Sequence, residues 1–563
     1  MTHSRALIFS LILLPGLSLR AEPERPATFC NPMDLPYRFQ LEPAVRREAA
    51  DPTLVVFKNE YWLFASKSGG YWHSPDGLHW IFVESKTLPI ENYAPTAEVV
   101  NGRLLWATGG HGIWTNDDPS RDTWVQISKS GIPGDPALFY SKAGRLYVYG
   151  GCSDKAPITG VGLDLKTFQS IGDPVPCVSG DMQNRGWETL KENGRPPFIE
   201  GSWMTEHAGT FYLQYAAPGT EVDGYGDGVF TAKDPLGPFT YAPYSPFSFK
   251  PTGFIRSAGH GSTFQDLAGN WWHIATMLVG ERASFERRVG LFPAGFTSGG
   301  ELFCDTYLGD YPHFPPGTAS GPKPATPGWM LLSYRKAAKA SSELEKHPVE
   351  MAFDENIHDW WSAKTGDKGE WLEVDLGKLC RIEAVQTNFM DQDAQIFGRL
   401  QGDAYQYVIE VSSDGVEWKL CIDKSRNEVD SPHDYVQLPA PVQARYVRLT
   451  NLHCPAGAKL SVSGFRIFGN GLGEAPARVQ GIKATRDAAD ARRATISWPP
   501  SKGAEFYIIR YGLTSGTLFA NQQIYEGQEF TLKTLNASTS YVATVDAVND
   551  SGITKGTETV TIP

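Results

Sequence analysis

The sequence predicts an all-β protein of several domains, on three observations. Tryptophan, tyrosine and phenylalanine number 16, 23 and 29 beside 57 glycines and 40 prolines, a composition of strands and frequent turns. Almost nowhere does an apolar period of 3.6 residues persist, whereas strand–turn–strand patterns recur. The chain of 563 residues is too long for one core and should divide into roughly two to four domains.

The N-terminus comes first. MTHSRALIFSLILLPGLSLRA, residues 1–21, sets Arg5 before an apolar stretch from Ala6 to Leu17 and then small or turn-forming residues, the pattern of a secretory signal peptide. A secreted or periplasmic protein is therefore expected. No later stretch is apolar for long enough to span a bilayer, so no membrane span is expected. The formal net charge of -12, without a basic cluster, argues against nucleic acid as a partner. Seven cysteines, thinly spread and odd in number, give neither a disulfide framework nor a metal-ligand spacing. A monomer is expected.

The next region contains a repeat. DPTLVVFKNEYWLFAS starts at 51, APTAEVVNGRLLWATGG at 94, DPALFYSKAGRLYVYGG at 135, EGSWMTEHAGTFYLQYA at 200 and HGSTFQDLAGNWWHIAT at 260. Each is strand, turn, strand, with room for further strands after it, and five such copies fit a five-bladed β-propeller over residues 30–316. The first strand of a blade lines the central channel, so the heads of the copies converge there: Asp51, Ala94, Asp135, Glu200 and His260. An Asp-Pro pair by itself is an ordinary turn starter. Four titratable heads in five copies are not, and they point to a site centred on carboxylates.

Two acids facing each other across a sugar ring are the machinery of glycoside hydrolysis, and a third carboxylate nearby keeps the proton-donating acid protonated by like-charge repulsion. No nucleophile elbow, phosphate loop or zinc set supports another chemistry. In keeping with this, the segment from about 45 to 310 resembles glycoside hydrolase family 43, through "ADP" at 50–52, "GDPAL" at 134–138, "IEGSW" at 199–203, "DPLGPF" at 234–239 and "GHGS" at 259–262. The resemblance implies Asp51 as general base, Glu200 as general acid and Asp135 as the residue that tunes the acid and orients the sugar. It implies inversion, with carboxylates roughly 6.5 to 9.5 Å apart, and no cofactor for catalysis. His260 and an arginine of the pair Arg287-Arg288, taken as Arg288, match pocket positions. Tyr93 stands where the family carries tryptophan, and Trp72, Trp187 and Trp203 are candidates for a sugar-stacking platform. Residues 180–198, GDMQNRGWETLKENGRPPF, are an unusually polar insertion.

GTASGPKPATPG opens a linker over 317–330. Residues 331–470 resemble the discoidin (coagulation factor 5/8 type C) fold, which carbohydrate-binding module family 32 shares, and the resemblance makes a structural calcium plausible at Phe353-Asp354-Glu355-Asn356. Residues 474–563 resemble a fibronectin type III sandwich, with Trp498 before a proline pair and Leu535 six residues before Tyr541. These modules are expected to be dispensable for turnover of small substrates. The expected activity is an inverting exo-glycosidase on terminal α-L-arabinofuranosyl or β-xylosyl, or related galactosyl or galactofuranosyl, residues of plant polysaccharide. The alternatives are a non-catalytic glycan-binding propeller and an adhesion protein, but a lectin has no use for an acid of raised pKa.

Overall fold

The computed structural model describes residues 25–41, 45–129, 131–317, 325–396 and 402–563. The signal-peptide segment and half of the linker, residues 318–324, lie outside them. No helix among the described residues is long and apolar enough to cross a membrane.

Five four-stranded blades follow one another along the chain, all strand pairs within a blade being antiparallel. Blade 1 holds β1 (Ala50–Phe57), β2 (Glu60–Ser66), β3 (Gly70–Ser74) and β4 (Ile81–Glu84). Blade 2 holds β5 (Thr96–Val100), β6 (Arg103–Ala107), β7 (Ile113–Asn116) and β8 (Val125–Ser128). Blade 3 holds β9 (Ala137–Tyr140), β10 (Leu146–Gly150), β11 (Ile158–Leu163) and β12 (Ser170–Val178). Blade 4 holds β13 (Glu200–His207), β14 (Thr210–Ala217), β15 (Gly226–Ala232) and β16 (Thr240–Tyr241). Blade 5 holds β17 (Arg256–Gln265), β18 (Trp271–Leu278), β19 (Arg287–Phe296) and β20 (Leu302–Cys304). Separate apolar cores fill the spaces between neighbouring blades. Between blades 5 and 1 the ring closes on Phe29, Met33, Leu35 and Tyr37 of the N-terminal segment.

Where each inner strand meets the channel, the backbone bends through the left-handed region: φ is 52° at Asp51, 48° at Ala94, 46° at Asp135, 62° at Gly201 and 46° at His260. Such a φ costs a residue with a Cβ of order 1–3 kcal/mol. Because Ala94 adopts it without any titratable group, the bend is a requirement of the blades. It turns the side chain at the strand head toward the axis, whatever that residue is.

The structure corrects the repeat alignment at blade 4. Register breaks fall between Ala50 and Thr53 in β1 and between Glu200 and Trp203 in β13, so Gly201, not Glu200, is equivalent to Asp51. Glycine is required there, since a Cβ would sit 2.7 Å from His260 Cγ. The two turns differ in length from those of blades 3 and 5, and this shifted the apparent glycine register by one residue.

After the propeller, an eight-stranded assembly from Met330 to Asn470 surrounds one apolar core. From Lys483 onward a three-stranded and a five-stranded sheet enclose another, with Trp498 and Tyr541 buried in it. Tyr541 Oη accepts from the Asn536 amide at 2.9 Å, a tyrosine-corner bond. Asn536 Nδ2 donates to the carbonyls of Pro243 and Ser245, which leaves the Asn536-Ala537-Ser538 sequon unsuited to glycosylation.

These parts are not beads on a string. Arg47, fully buried beside β1, binds Asp391 and Asp430 of the first sandwich through four hydrogen bonds. A shared core joins Cys30, Leu308 and Tyr311 to Phe468 and to Phe506, Ile508 and Val548 of the tail. The insertion at 180–198 is pinned to the tail as well: Gly186 N donates to Leu535 O at 3.0 Å and Ala537 N to Asn184 O at 2.8 Å.

Candidate active site

Asp51, Asp135, Glu200 and His260 meet in a pocket of about 320 Å³ whose wall also includes Tyr93, Cys152, Phe198, Phe285 and Arg287. Glu200 reaches it from one residue before the bend, the other three from the bend itself.

Asp51 is held in place on all sides. Its amide donates to Thr276 Oγ1 at 2.8 Å, Ser66 Oγ donates to Oδ2 at 2.5 Å, and Arg287 Nη1 donates to Oδ1 at 3.0 Å. His260 Nδ1 lies 3.2 Å from the same oxygen. Burial alone would raise this carboxyl's pKa. The charges of Arg287 and His260 and the Ser66 hydroxyl outweigh burial and hold it below its ordinary value, so Asp51 is ionised.

Glu200 has the opposite environment. Burial, and then the charge of Asp135, push its pKa up to about 7. Asp135 is itself raised by burial, an effect that His260 partly offsets. His260 titrates above its ordinary value, because the carboxylates of Asp51, Asp135 and Glu200 outweigh its desolvation. Asp227 fixes this imidazole's backbone by accepting from the amides of His260 and Gly261 at 2.7 and 3.0 Å. Ligating atoms of Asp135, Glu200 and His260 lie within 4.8 Å of one another, and on distance alone could also hold a cation. The arrangement sets an ionised carboxylate beside a carboxyl that keeps its proton near neutrality, the pairing needed to accept one proton while giving up another.

Several residues of the site escaped sequence reasoning. Tyr225 Oη donates to Glu200 Oε1 at 2.7 Å, which leaves Oε2 as the oxygen that carries the proton. Cys152 Sγ lies 3.5 Å from that Oε2. Arg287 also grips buried Glu48, with its Nη2 at 2.6 Å from Oε1. Tyr225 carries no motif, and its role depends on β15 following β14 across the same blade.

Four sequence expectations are corrected. Arg288 is not in the pocket: along β19 successive side chains point to opposite faces, so Arg287 turns to Asp51 while Arg288 turns to the first sandwich and donates to His433 Nε2 at 2.8 Å. Trp72 is wholly buried against Phe82 in the core between blades 5 and 1. Trp187 is wholly buried and donates to Tyr241 Oη at 3.1 Å. Trp203, 7% exposed, donates to Thr263 O across the interface between blades 4 and 5. Each indole serves blade packing, where a large flat side chain fills the wedge between twisted sheets. The aromatic surface offered to a sugar is Tyr93 with Phe285, 37% and 38% exposed, their rings 5.7 Å apart.

At the stretch expected to bind calcium, both oxygens of Glu355 accept from buried Arg466 at 2.9 Å.

Residues 41–300 match the family described as "Glycosyl hydrolases family 43" and residues 337–462 the "F5/8 type C domain". The chain thus carries a family 43 domain followed by an F5/8 type C domain. A "Xylosidase/arabinosidase" of Butyrivibrio fibrisolvens is 25% identical over 203 residues, 32% of this chain and 37% of that protein. "Lactadherin" of Rattus norvegicus is 32% identical over 98 residues, 16% of this chain and 22% of that protein. The chain thus matches 37% and 22% of the length of these two curated relatives. A solved structure described as "Glycoside hydrolase" is 18% identical with a TM-score of 0.44, covering 77% of this chain and 100% of its own. An exo-1,5-α-L-arabinanase structure from a bovine ruminal metagenomic library is 17% identical with a TM-score of 0.36, covering 47% of this chain and 98% of its own.

Proposed function

We propose that this protein is a secreted glycoside hydrolase that removes terminal α-L-arabinofuranosyl or β-xylosyl residues from plant polysaccharide with inversion. The observation that carries the reading is the split between the carboxyls: Asp51 held ionised by Arg287 and His260, Glu200 held protonated by burial and Asp135. In this reading Asp51 accepts a proton from water as the water oxygen bonds to the anomeric carbon. The glycosidic carbon–oxygen bond breaks, and its electrons and the Glu200 proton go to the leaving oxygen. Asp135 keeps Glu200 charged with its proton, and Tyr93 and Phe285 offer a face to the sugar ring. The family 43 domain and the name of the Butyrivibrio relative favour pentosides. The signal pattern at residues 1–21 supports secretion.

The test is a panel of aryl glycosides followed by proton NMR of the first-formed sugar. A pentoside should be turned over with its product in the anomeric configuration opposite to the substrate's. Retention would remove Asp51 from the role of base, and no turnover of any glycoside would remove the enzyme reading.

The pH profile gives a second check. Glu200 must be protonated to act, so activity should fall as the pH rises through about 7. Asp51, held below its ordinary value, remains ionised through the neutral range and places the acid limb low. The hydroxyl of Tyr225 favours the ionised form of Glu200, so Tyr225→Phe should move the alkaline limb upward while lowering kcat, because either oxygen could then carry the proton. An unmoved alkaline limb would show that Tyr225 does not act through Glu200.

A further inference from the structure

A second cavity lies against the catalytic pocket. A groove of about 510 Å³ runs between the insertion at 180–198 and the C-terminal sandwich, bounded by Leu190 to Phe198 on one side and by Arg492, Arg493 and Lys533 on the other. It shares Lys191 and Phe198 with the catalytic pocket, and Phe198 stands two residues before Glu200. The two cavities are therefore neighbours on the Glu200 side.

We propose that this groove is a binding site for the part of the polysaccharide beyond the cleaved bond, and that the C-terminal sandwich supplies one of its walls. The inference rests on the glycosidase reading above, because the leaving oxygen takes its proton from Glu200 and the chain attached to it must lie on that side. The insertion is a rigid wall: its backbone bonds to Leu535 and Ala537, and Arg492 donates to Met182 O at 2.5 Å. The charges of the groove are mutually satisfied. Arg492 forks onto Asp490 at 2.7 and 2.8 Å, while Arg493 and Lys533 both reach Glu192 of the insertion at 3.0 Å and so tie the two walls together at that point. Paired charges leave fixed donors and acceptors of both signs with little net field, which suits the hydroxyls of a neutral pentose backbone better than a uronic acid chain. The tail sandwich then contributes to substrate choice, a role beyond that of a spacer.

The test compares substrates of different length. Arg493→Ser/Lys533→Ser removes donors from a wall that does not line the catalytic pocket, and Asn193→Trp obstructs the groove while leaving Arg493 and Lys533 in place. Each should lower kcat/KM on β-1,4-xylohexaose or α-1,5-arabinohexaose by about tenfold, the value of one or two hydrogen bonds to charged groups. The rate on 4-nitrophenyl β-xyloside or α-L-arabinofuranoside should stay unchanged. Equal losses on both, or no loss on the hexaoses with either variant, would overturn the proposal. Calorimetry on the Glu200→Gln background keeps the groove separable from the function reading: hexaose binding weakened by either variant supports the site even in a protein that turned nothing over, and binding that neither variant weakens sinks it. Tighter binding of glucuronic acid-substituted xylohexaose than of the plain hexaose would overturn the neutral assignment.

Discussion

Asp51→Asn should lower turnover of an aryl pentoside by roughly 10² to 10⁴ while the fold remains in place. Asparagine is the informative replacement because of where Asp51 sits. At φ 52° most side chains are strained, whereas asparagine is among the few residues that enter the left-handed region readily. The amide oxygen can still accept from Ser66, and Arg287 keeps Glu48 as its partner. What is lost is a group able to take a proton from water. Ala94 already shows that the bend itself needs no carboxylate. Melting and sugar binding close to wild type with turnover nearly abolished is the expected result. Wild-type turnover would reduce Asp51 to a residue that happens to head a strand.

Ending the chain at Pro324 should cost the propeller its stability, contrary to the modular expectation from sequence. The cut removes both carboxylates that neutralise Arg47, the histidine that accepts from Arg288, and Arg466, which donates to the Asp310 carbonyl. It also strips Phe468, Phe506 and Ile508 from the shared core and exposes Leu308 and Tyr311. A milder version isolates one contact. Arg47→Met in the full chain leaves the carboxylates of Asp391 and Asp430 without the cation that neutralises them, and breaking a buried pair in this way costs about 3–5 kcal/mol. Urea unfolding of the variant should show a loss of that order, and the truncated protein should be insoluble or melt well below the full chain. A soluble truncated propeller with full activity on aryl pentosides would show that the interface is dispensable.

Much of the site could be read directly from the residues. Asp51, Asp135 and His260 occupy the same bend in their blades, so a linear search for strand–turn–strand copies finds them. Glu200 was found for a partly wrong reason. It precedes the bend, and its alignment with Asp51 came from a hairpin turn of different length. The tryptophans misled because their flat faces serve two purposes, and a sequence does not reveal whether an indole points between blades or into the channel. Trp72, Trp187 and Trp203 all face inward to cores.

Local patterns in the chain suffice for the all-β architecture, the propeller and the titratable residues that line the pocket, since all three follow from alternation, turn residues and the heads of repeats. Which of two adjacent arginines serves the pocket follows from the folded arrangement alone, since a single step along β19 reverses the face and both residues look alike in the chain. That arrangement alone pairs Tyr225 with Glu200, and Arg47 with Asp391 and Asp430, the last two lying 344 and 383 residues away along the chain. No local pattern encodes such contacts. They arise because a charge taken out of water must find its partner wherever packing brings one, and that partner is set by how the blades and sandwiches dock together.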